Sequence, residues 1–260
     1  MSDRPAVITF DAHPDEVLVG SAPPLLCDPD ERLVRLEQAG VEVTIVWPFD
    51  AAVRMTPYDR WIDSIRERVE LAGFLMTPDA AFGFERRGTP AAVAAYGGQV
   101  DPPYDVVVVP PLELGGRPVR SAEIRSDVAA GDLRAARTLL GRSVSVAGQA
   151  TRVGADVRVS FALPVALPPP ARYSAIVEPA WTEGDGGNPG ADEGEADEGE
   201  ADEGQARPNE TNTDREGGID AQRRRRRTVA EVESTGRLVL RGDGLPSAPR
   251  LRVTFVSALR

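Results

Sequence analysis

The sequence contains no lysine, and it has one cysteine and one histidine among its 260 residues. A single thiol, Cys27, excludes any intrachain disulfide, and with no second thiol beside it we interpret it as an ordinary small apolar residue. The single histidine excludes a metal site built from several histidines. Any Ser-His-Asp or Cys-His mechanism would have to use His13.

The common motifs for phosphate binding and nucleophilic catalysis are also missing. The chain has no G-x-x-x-x-G-K-[ST] loop, no G-x-G-x-x-G, no C-x-x-C pair and no G-x-S-x-G elbow. Its apolar runs, such as 106–112, are much shorter than the ~20 residues that span a bilayer. The N-terminal residues show no secretory signal pattern. These absences predict a cytoplasmic protein that makes no membrane contact.

The net charge is concentrated in one segment. The chain carries −11 overall, and residues 181–227 hold 14 acidic and 7 basic side chains. The segment contains the repeat ADEGE, ADEGE, ADEGQ at 191–205 and five arginines at 223–227. Such a composition cannot bury enough apolar surface to fold, so we predict a disordered insert. The acidic balance argues against nucleic acid as a partner, although an interaction role for the arginine run remains an alternative.

Apolar runs alternate with amphipathic segments through the first part of the chain. Strands are predicted at 5–10, 41–49, 73–77 and 104–112, and helices at 28–39, 57–71 and 91–97. Asp28 is the expected N-cap of the 28–39 helix, and Gly40 is its expected end. Continuous apolar strands between helices predict an α/β fold with a parallel sheet covered on both faces.

The pattern changes after residue 120. Two short helices are predicted within 121–142, separated by a turn at Gly131 and Asp132. From 143 onward the apolar residues alternate with period two, which predicts antiparallel strands. The predicted organisation is therefore an α/β domain at 1–142, a small β-barrel at 143–180 and 229–260, and the disordered insert at 181–228.

Several segments, in this order and spacing, resemble the bacterial bifunctional riboflavin kinase/FAD synthetase family. They are VITFDAHPDEVL, APPLLCDPDERLVRLEQAGVEVTIVWPFD, DAAFGFERRG and VVVVPPLELGGRPVRSAEIRSDVAAGDLRAARTLLGRSVSVAG. The likeness covers about residues 5–150 and is weaker beyond them. It implies a Rossmann-like nucleotidyltransferase domain that joins FMN to the AMP part of ATP, with Mg²⁺, and releases pyrophosphate. It also implies a small β-barrel that phosphorylates riboflavin.

The resemblance implies two groups of binding residues. The family's phosphate-binding S-S-T-x-I-R corresponds to residues 120–125, so Ser121 and Arg125 are the implied ATP contacts, and Ala122 replaces the Thr hydroxyl. For Arg125 the alternative is a salt bridge at the start of an exposed helix.

The implied flavin contacts come from two loops. His13 matches the family's T-F-x-P-H-P loop, and Asp79 and Phe82 match its G-x-[DN]-F-x-F-G loop. The alternatives are a histidine that caps a strand end and an ordinary core aromatic.

Two family motifs have no counterpart in this sequence. G-x-F-D-G-x-H-x-G-H is absent, and residues 160–168 read SFALPVALP where the family has G-F-P-T-A-N. No catalytic residue is therefore assigned, and neither strong FAD formation nor riboflavin kinase activity is expected. The alternatives are a start codon assigned too late and a pseudoenzyme that acts as a flavin-binding, nucleotide-binding or protein-interaction scaffold.

Overall fold

The computed structural model of the chain describes residues 4–180 and 225–259. Contacts divide the chain into two compact units: Met1–Pro24 with Arg32–Arg120, the α/β unit, and Leu25–Glu31 with Ser121–Arg260, the barrel unit. The division falls at residue 120, whereas the sequence placed it at 142, because the first helix after 120 packs on the second helix, which contacts a barrel strand. No described helix is both long and apolar enough to cross a membrane.

The α/β unit is built on two pairs of parallel strands. β1 (Ala6–Phe10) pairs with β2 (Val43–Trp47), and β3 (Gly73–Met76) pairs with β4 (Asp105–Val108). The predicted parallel pairing is confirmed, but among the described residues the strands form two pairs rather than one continuous sheet. β4 ends four residues before the predicted 112, because the prolines at 110 and 111 cannot donate to a ladder.

Five helices accompany these strands. They are α1 (Pro14–Val19), α2 (Pro29–Gln38), α3 (Ala51–Met55), α4 (Tyr58–Arg66) and α5 (Pro90–Gly97). The predicted cap of α2 is confirmed, since Asp28 Oδ1 accepts from the backbone N–H groups of Asp30 and Glu31 at 3.1 and 3.4 Å. The predicted 57–71 helix is shorter, and α1 and α3 were not predicted.

The core of the α/β unit lies between α4, α5 and the β3–β4 pair. Its buried members are Ile62, Met76, Val93 and Tyr104. The Tyr104 hydroxyl donates to the Val93 carbonyl at 3.1 Å, so this buried polar group has a partner. The predicted apolar face of α4 is confirmed, because Ile62 and Ile65 are both buried.

A short hairpin and two helices follow β4. The hairpin consists of β5 (Glu113–Leu114) and β6 (Arg117–Pro118). α6 (Ser121–Ala130) and α7 (Leu133–Leu140) confirm the predicted pair of helices. The predicted turn separates them: Gly131 has a φ of 77°, and Asp132 caps α7 by accepting from the Ala135 N–H at 2.9 Å.

The barrel unit contains a closed six-stranded antiparallel barrel, as the period-two pattern predicted. Its strands are β7 (Ser145–Val153), β8 (Asp156–Ser160), β9 (Ala171–Pro179), β10 (Arg226–Val232), β11 (Leu238–Arg241) and β12 (Arg250–Ala258). They close in the order β10-β11-β8-β7-β12-β9. Closure leaves no unpaired edge, and the interior is filled by side chains such as Val177, Leu240, Leu251 and Phe255.

The boundary of the predicted insert needs one correction. β10 begins at Arg226, which pairs with Val177 of β9. Residues 226–228 therefore belong to the barrel, although their composition placed them in the insert. Residues 181–224 lie outside the described residues, and so does the prediction that they are disordered.

Candidate functional site

The loops that follow β1 and β2 contact each other at the carboxyl ends of these strands. Asp11 Oδ1 accepts from the Ala12 N–H at 2.7 Å and from the Phe49 N–H at 2.9 Å. The rings of Phe10 and Phe49 meet edge to face with centroids 4.9 Å apart. Ligands of open α/β sheets bind at this end of the strands, so these loops form one wall of the candidate site.

His13, a predicted flavin contact, lies in this wall. It is the N-cap of α1, and its Nδ1 accepts from the Asp15 N–H at 3.2 Å. Because Nδ1 acts as an acceptor, the neutral ring carries its proton on Nε2. The side chain is 25% exposed. The structure therefore gives His13 a capping role at the start of a helix, and its flavin contact stays a prediction.

Asp79, the second predicted flavin contact, follows β3 and is exposed. Its Oδ1 accepts from the Thr77 hydroxyl at 2.9 Å, and its Oδ2 lies 3.4 Å from an Arg120 guanidinium nitrogen. The Thr77 hydrogen bond and a backbone hydrogen bond, aided by the charges of Arg120 and Arg86, hold the pKa of Asp79 below its ordinary value. Asp79 is therefore ionised at neutral pH.

Backbone hydrogen bonds hold the two ends of the loop from Phe82 to Gly88 together. Phe82 and Gly88 exchange backbone hydrogen bonds of 2.9 and 3.3 Å, and the Phe84 N–H donates to the Thr56 carbonyl at 2.8 Å. Both Gly83 and Gly88 lie directly against Tyr58: a Cβ added at either position would come within 2.6 Å of it. Glycine is therefore required at both positions for this close packing.

Phe82, the third predicted flavin contact, belongs to an aromatic row. Its ring centroid lies 5.0 Å from that of Trp61 and 6.1 Å from that of Phe74, and Trp61 lies 5.6 Å from Trp47. The row runs from the end of β2 to the loop after β3. Phe82 is half-buried and packs on the core of the α/β unit, which agrees with the core interpretation. Its flavin contact stays a prediction.

Trp61 is the member of this row that sequence reasoning missed as a site residue, since helical spacing assigned it only to the apolar face of α4. Its Nε1 is buried, and this nitrogen has no hydrogen-bond partner within the described residues. A buried indole N–H normally finds an acceptor, so Trp61 is a candidate donor beside Phe82. A tryptophan on an otherwise apolar helix face was the available signal.

The two predicted ATP contacts belong to the other unit. Ser121 is the exposed first residue of α6, and the half-buried Arg125 lies one turn further on. His13, Asp79 and Phe82 all lie in the α/β unit, so the structure does not bring the five residues together within one unit. The phosphate contacts of Ser121 and Arg125 stay predictions.

Within 4–180 and 225–259, no three His, Cys, Asp or Glu side chains are grouped to hold a metal. The α/β unit has the aromatic row and two arginines, Arg86 and Arg120, that contact Asp79. This combination suits a ligand with a planar ring and an anionic group.

The chain is similar to known proteins in sequence over its first part and in fold. Residues 2–123 match the family model of FAD synthetase. Among solved structures, the crystal structure of a macrolide-efflux protein from Streptococcus pneumoniae matches with a TM-score of 0.66 and 17% identity. The match covers 98% of this chain and 74% of that one, and at this identity it shows the fold alone. No curated protein matches the sequence.

Proposed function

We propose that the α/β unit binds FMN and that ATP is its second substrate, because residues 2–123 match the family model of FAD synthetase. The family match is the single observation that carries this proposal. The corresponding reaction transfers the AMP part of ATP to FMN and releases pyrophosphate. Mg²⁺ enters this proposal only through the family resemblance.

The aromatic row supports the flavin part of the proposal. Phe82 and Trp61 lie beside the loops that follow β2 and β3, and an isoalloxazine ring is a planar aromatic surface that stacks on such side chains. We assign His13 and Asp79 to the rim of the same site.

Adenylyl transfer needs positioning and charge stabilisation more than covalent chemistry. An FMN phosphate oxygen attacks the α-phosphorus of ATP while the bond to the pyrophosphate leaving group breaks. Ser121 and Arg125 stay the ATP contacts that the family resemblance implies. Ala122 supplies no hydroxyl, so the triphosphate loses one donor. We therefore expect slow FAD formation.

One observation favours the alternative of a binding protein without catalysis. The chain has a single histidine, and its ring nitrogen Nδ1 is used to cap α1. The second unit carries SFALPVALP at 160–168, so we do not propose riboflavin kinase activity for the barrel. The cytoplasmic location and the absence of nucleic-acid and membrane partners remain predictions.

The test uses the full chain with FMN, ATP and Mg²⁺, with flavin products separated by chromatography. Calorimetry with FMN and with ATP, each alone, measures binding independently of turnover. We expect binding of FMN with little FAD formed. Rapid, protein-dependent FAD formation would overturn the expectation of slow chemistry, and failure to bind either compound would overturn the proposal itself.

A further inference from the structure

The β3–β4 pair buries one of its two faces. On that face, Phe74 and Val106 pack against the core of the α/β unit. Leu75 and Val107 are partners in the register of the two strands and lie on the opposite face, where they are 77% and 52% exposed. The next residue on this side, Val109, is also exposed. We call the surface formed by Leu75, Val107 and Val109 the open face.

An open apolar face is unusual for a pair of parallel strands. Parallel sheets are normally covered on both faces, and for this reason their strands are continuous apolar runs. The sequence VVVV at 106–109 is such a run. A contiguous apolar surface in contact with water is typical of an interaction site. The strands therefore require a cover that the described residues do not provide.

The long segment outside the described residues does not have the composition of this cover. Residues 181–224 consist mainly of acidic, glycine and other polar residues. Their large apolar side chains are Trp181 and Ile219, which stand far apart in the sequence. Two isolated side chains do not form an apolar surface that matches the open face. The cover must therefore come from another polypeptide.

Charges of opposite sign lie at the two ends of the open face. At the amino end, Asp105 is the exposed first residue of β4 and lies on the same side of the strand as the open face. At the carboxyl end of β3, Arg86 donates to the Asp79 backbone carbonyl and Arg120 pairs with its carboxylate, so the two arginines exceed the one acid. A two-fold axis that crosses the strands turns the amino end of one copy toward the carboxyl end of the other. A second copy of the chain therefore matches the open face in charge as well as in apolar character.

We infer that the open face is the interface of a two-fold dimer of this chain, in which the β3–β4 pairs of two copies pack face to face. Sheets packed in this way lie about 10 Å apart with interdigitated side chains, and leucine and valine suit this spacing. Two short strands per copy offer less area than the ~800 Å² per partner of a standard interface, so the dimer should dissociate on dilution. This inference goes beyond the proposed function and needs neither FMN nor ATP.

The experiment measures the mass of the full chain by sedimentation velocity over a range of concentrations. We expect the average mass to rise from monomer toward dimer between about 1 and 100 µM protein. Leu75→Glu should abolish this rise, because it places a charge in the centre of the interface. The matched control is Val153→Glu, which makes the same change at a residue of β7 that is 51% exposed, and it should leave the dimer unchanged. Circular dichroism confirms that each variant is folded.

The two-fold arrangement makes a separate prediction for Asp105. The variant Asp105→Arg should weaken the dimer at least about tenfold, because the new charge faces the arginines of the second copy. Asp105→Asn should weaken it less. Stronger association in Asp105→Arg would contradict the arrangement, and with it the inferred interface.

Two further results would overturn the inference. A chain that stays monomeric at every concentration would leave the open face to a different protein. Equal effects of Leu75→Glu and Val153→Glu would place any dimer interface elsewhere. Titration of the same proteins with FMN separates this inference from the proposed function. If the chain dimerises as expected but does not bind FMN, the interface stands and the proposed function fails. If a monomeric chain binds FMN, the proposed function stands and the interface fails.

Discussion

Arg252 and Glu31 form a buried ion pair within the barrel unit, with Nε and Oε1 3.0 Å apart and side chains only 6% and 3% exposed. Arg252 also approaches Glu178, with 3.3 Å between Nη1 and Oε1, and Glu178 in turn pairs with Arg225 at 2.7 Å. The network connects the first turn of α2 with β9, β12 and the residue before β10. Buried charges of this kind are tolerated only when each has a partner.

Removing one member of the pair should therefore destabilise the barrel unit. Arg252→Met removes the ion pair with the buried Glu31 carboxylate, and we expect the free energy of unfolding to fall by about 3–5 kcal/mol. Urea denaturation followed by circular dichroism measures this. The double variant Arg252→Met with Glu31→Leu should recover most of the loss. A double variant as unstable as the single one would show that the loss of packing, and not the loss of the ion pair, causes the destabilisation.

Gly83 should not tolerate a side chain. Its φ is 74°, and a Cβ would lie 2.6 Å from the backbone of Tyr58, so Gly83→Ala should lower the free energy of unfolding by about 2 kcal/mol. Gly98 is the control, because its nearest neighbour would be 3.9 Å away and its φ is −74°. Gly98→Ala should be neutral or slightly stabilising. Equal effects in a denaturation experiment would contradict the close packing of the loop on Tyr58.

A substitution that relieves backbone strain at Glu85 should increase the stability of the protein. Glu85→Gly should raise the free energy of unfolding by about 0.5–1 kcal/mol, because glycine adopts a φ of 55° without steric cost. Glu67 is an exposed residue with a helical φ of −66°, and Glu67→Gly should instead destabilise. If both substitutions destabilise alike under denaturant, the left-handed turn is not present in solution.

Two tyrosines should make the protein less stable in alkali. A hydrogen bond to Asp63 and burial raise the pKa of Tyr96 to about 12, and burial raises the pKa of Tyr104 to about 12. Between their ordinary value of 10.0 and 12 the unfolded chain loses these protons while the folded chain keeps them. The free energy of unfolding should therefore fall as pH rises through this window.

The substitution Tyr96→Phe tests the tyrosine origin of this effect. It removes one group that titrates in the window, so stability should depend less steeply on pH between 10 and 12 than in the unaltered chain. Absorbance of tyrosinate in the folded protein reports the titration directly. Unchanged pH dependence in Tyr96→Phe, with ordinary titration of all tyrosines, would contradict the assignment.

Local signals explain which parts of the fold the sequence predicted. The break between α6 and α7 follows from Gly131 and Asp132, whose conformation and capping depend on neighbouring residues only. The start of β10 could not be predicted in this way. Arg226 belongs to a charged run, and its pairing partner Val177 is distant in sequence. The start of β10 is therefore determined by pairing with a distant strand and not by the local composition.

The candidate site was less predictable for the same reason. His13, Asp79 and Phe82 were found through family motifs, but their interactions with Asp15, Arg120 and Trp61 arise from the fold. The left-handed turn at Glu85 and Arg86 gives no sequence signal, because neither residue is glycine. The division into two units could not be predicted from the sequence either. Residues 120 and 121 are neighbours in one motif, but they belong to different units.

The most direct test of the FAD synthetase-type assignment is a fluorescence titration of FMN with the full chain. Saturable binding with reduced flavin emission is predicted, because stacking beside Phe82 and Trp61 quenches an isoalloxazine ring. Phe82→Leu should weaken this binding, whereas Phe255→Leu in the barrel interior should leave it unchanged. Flavin emission that stays unaltered by excess folded protein would contradict the assignment.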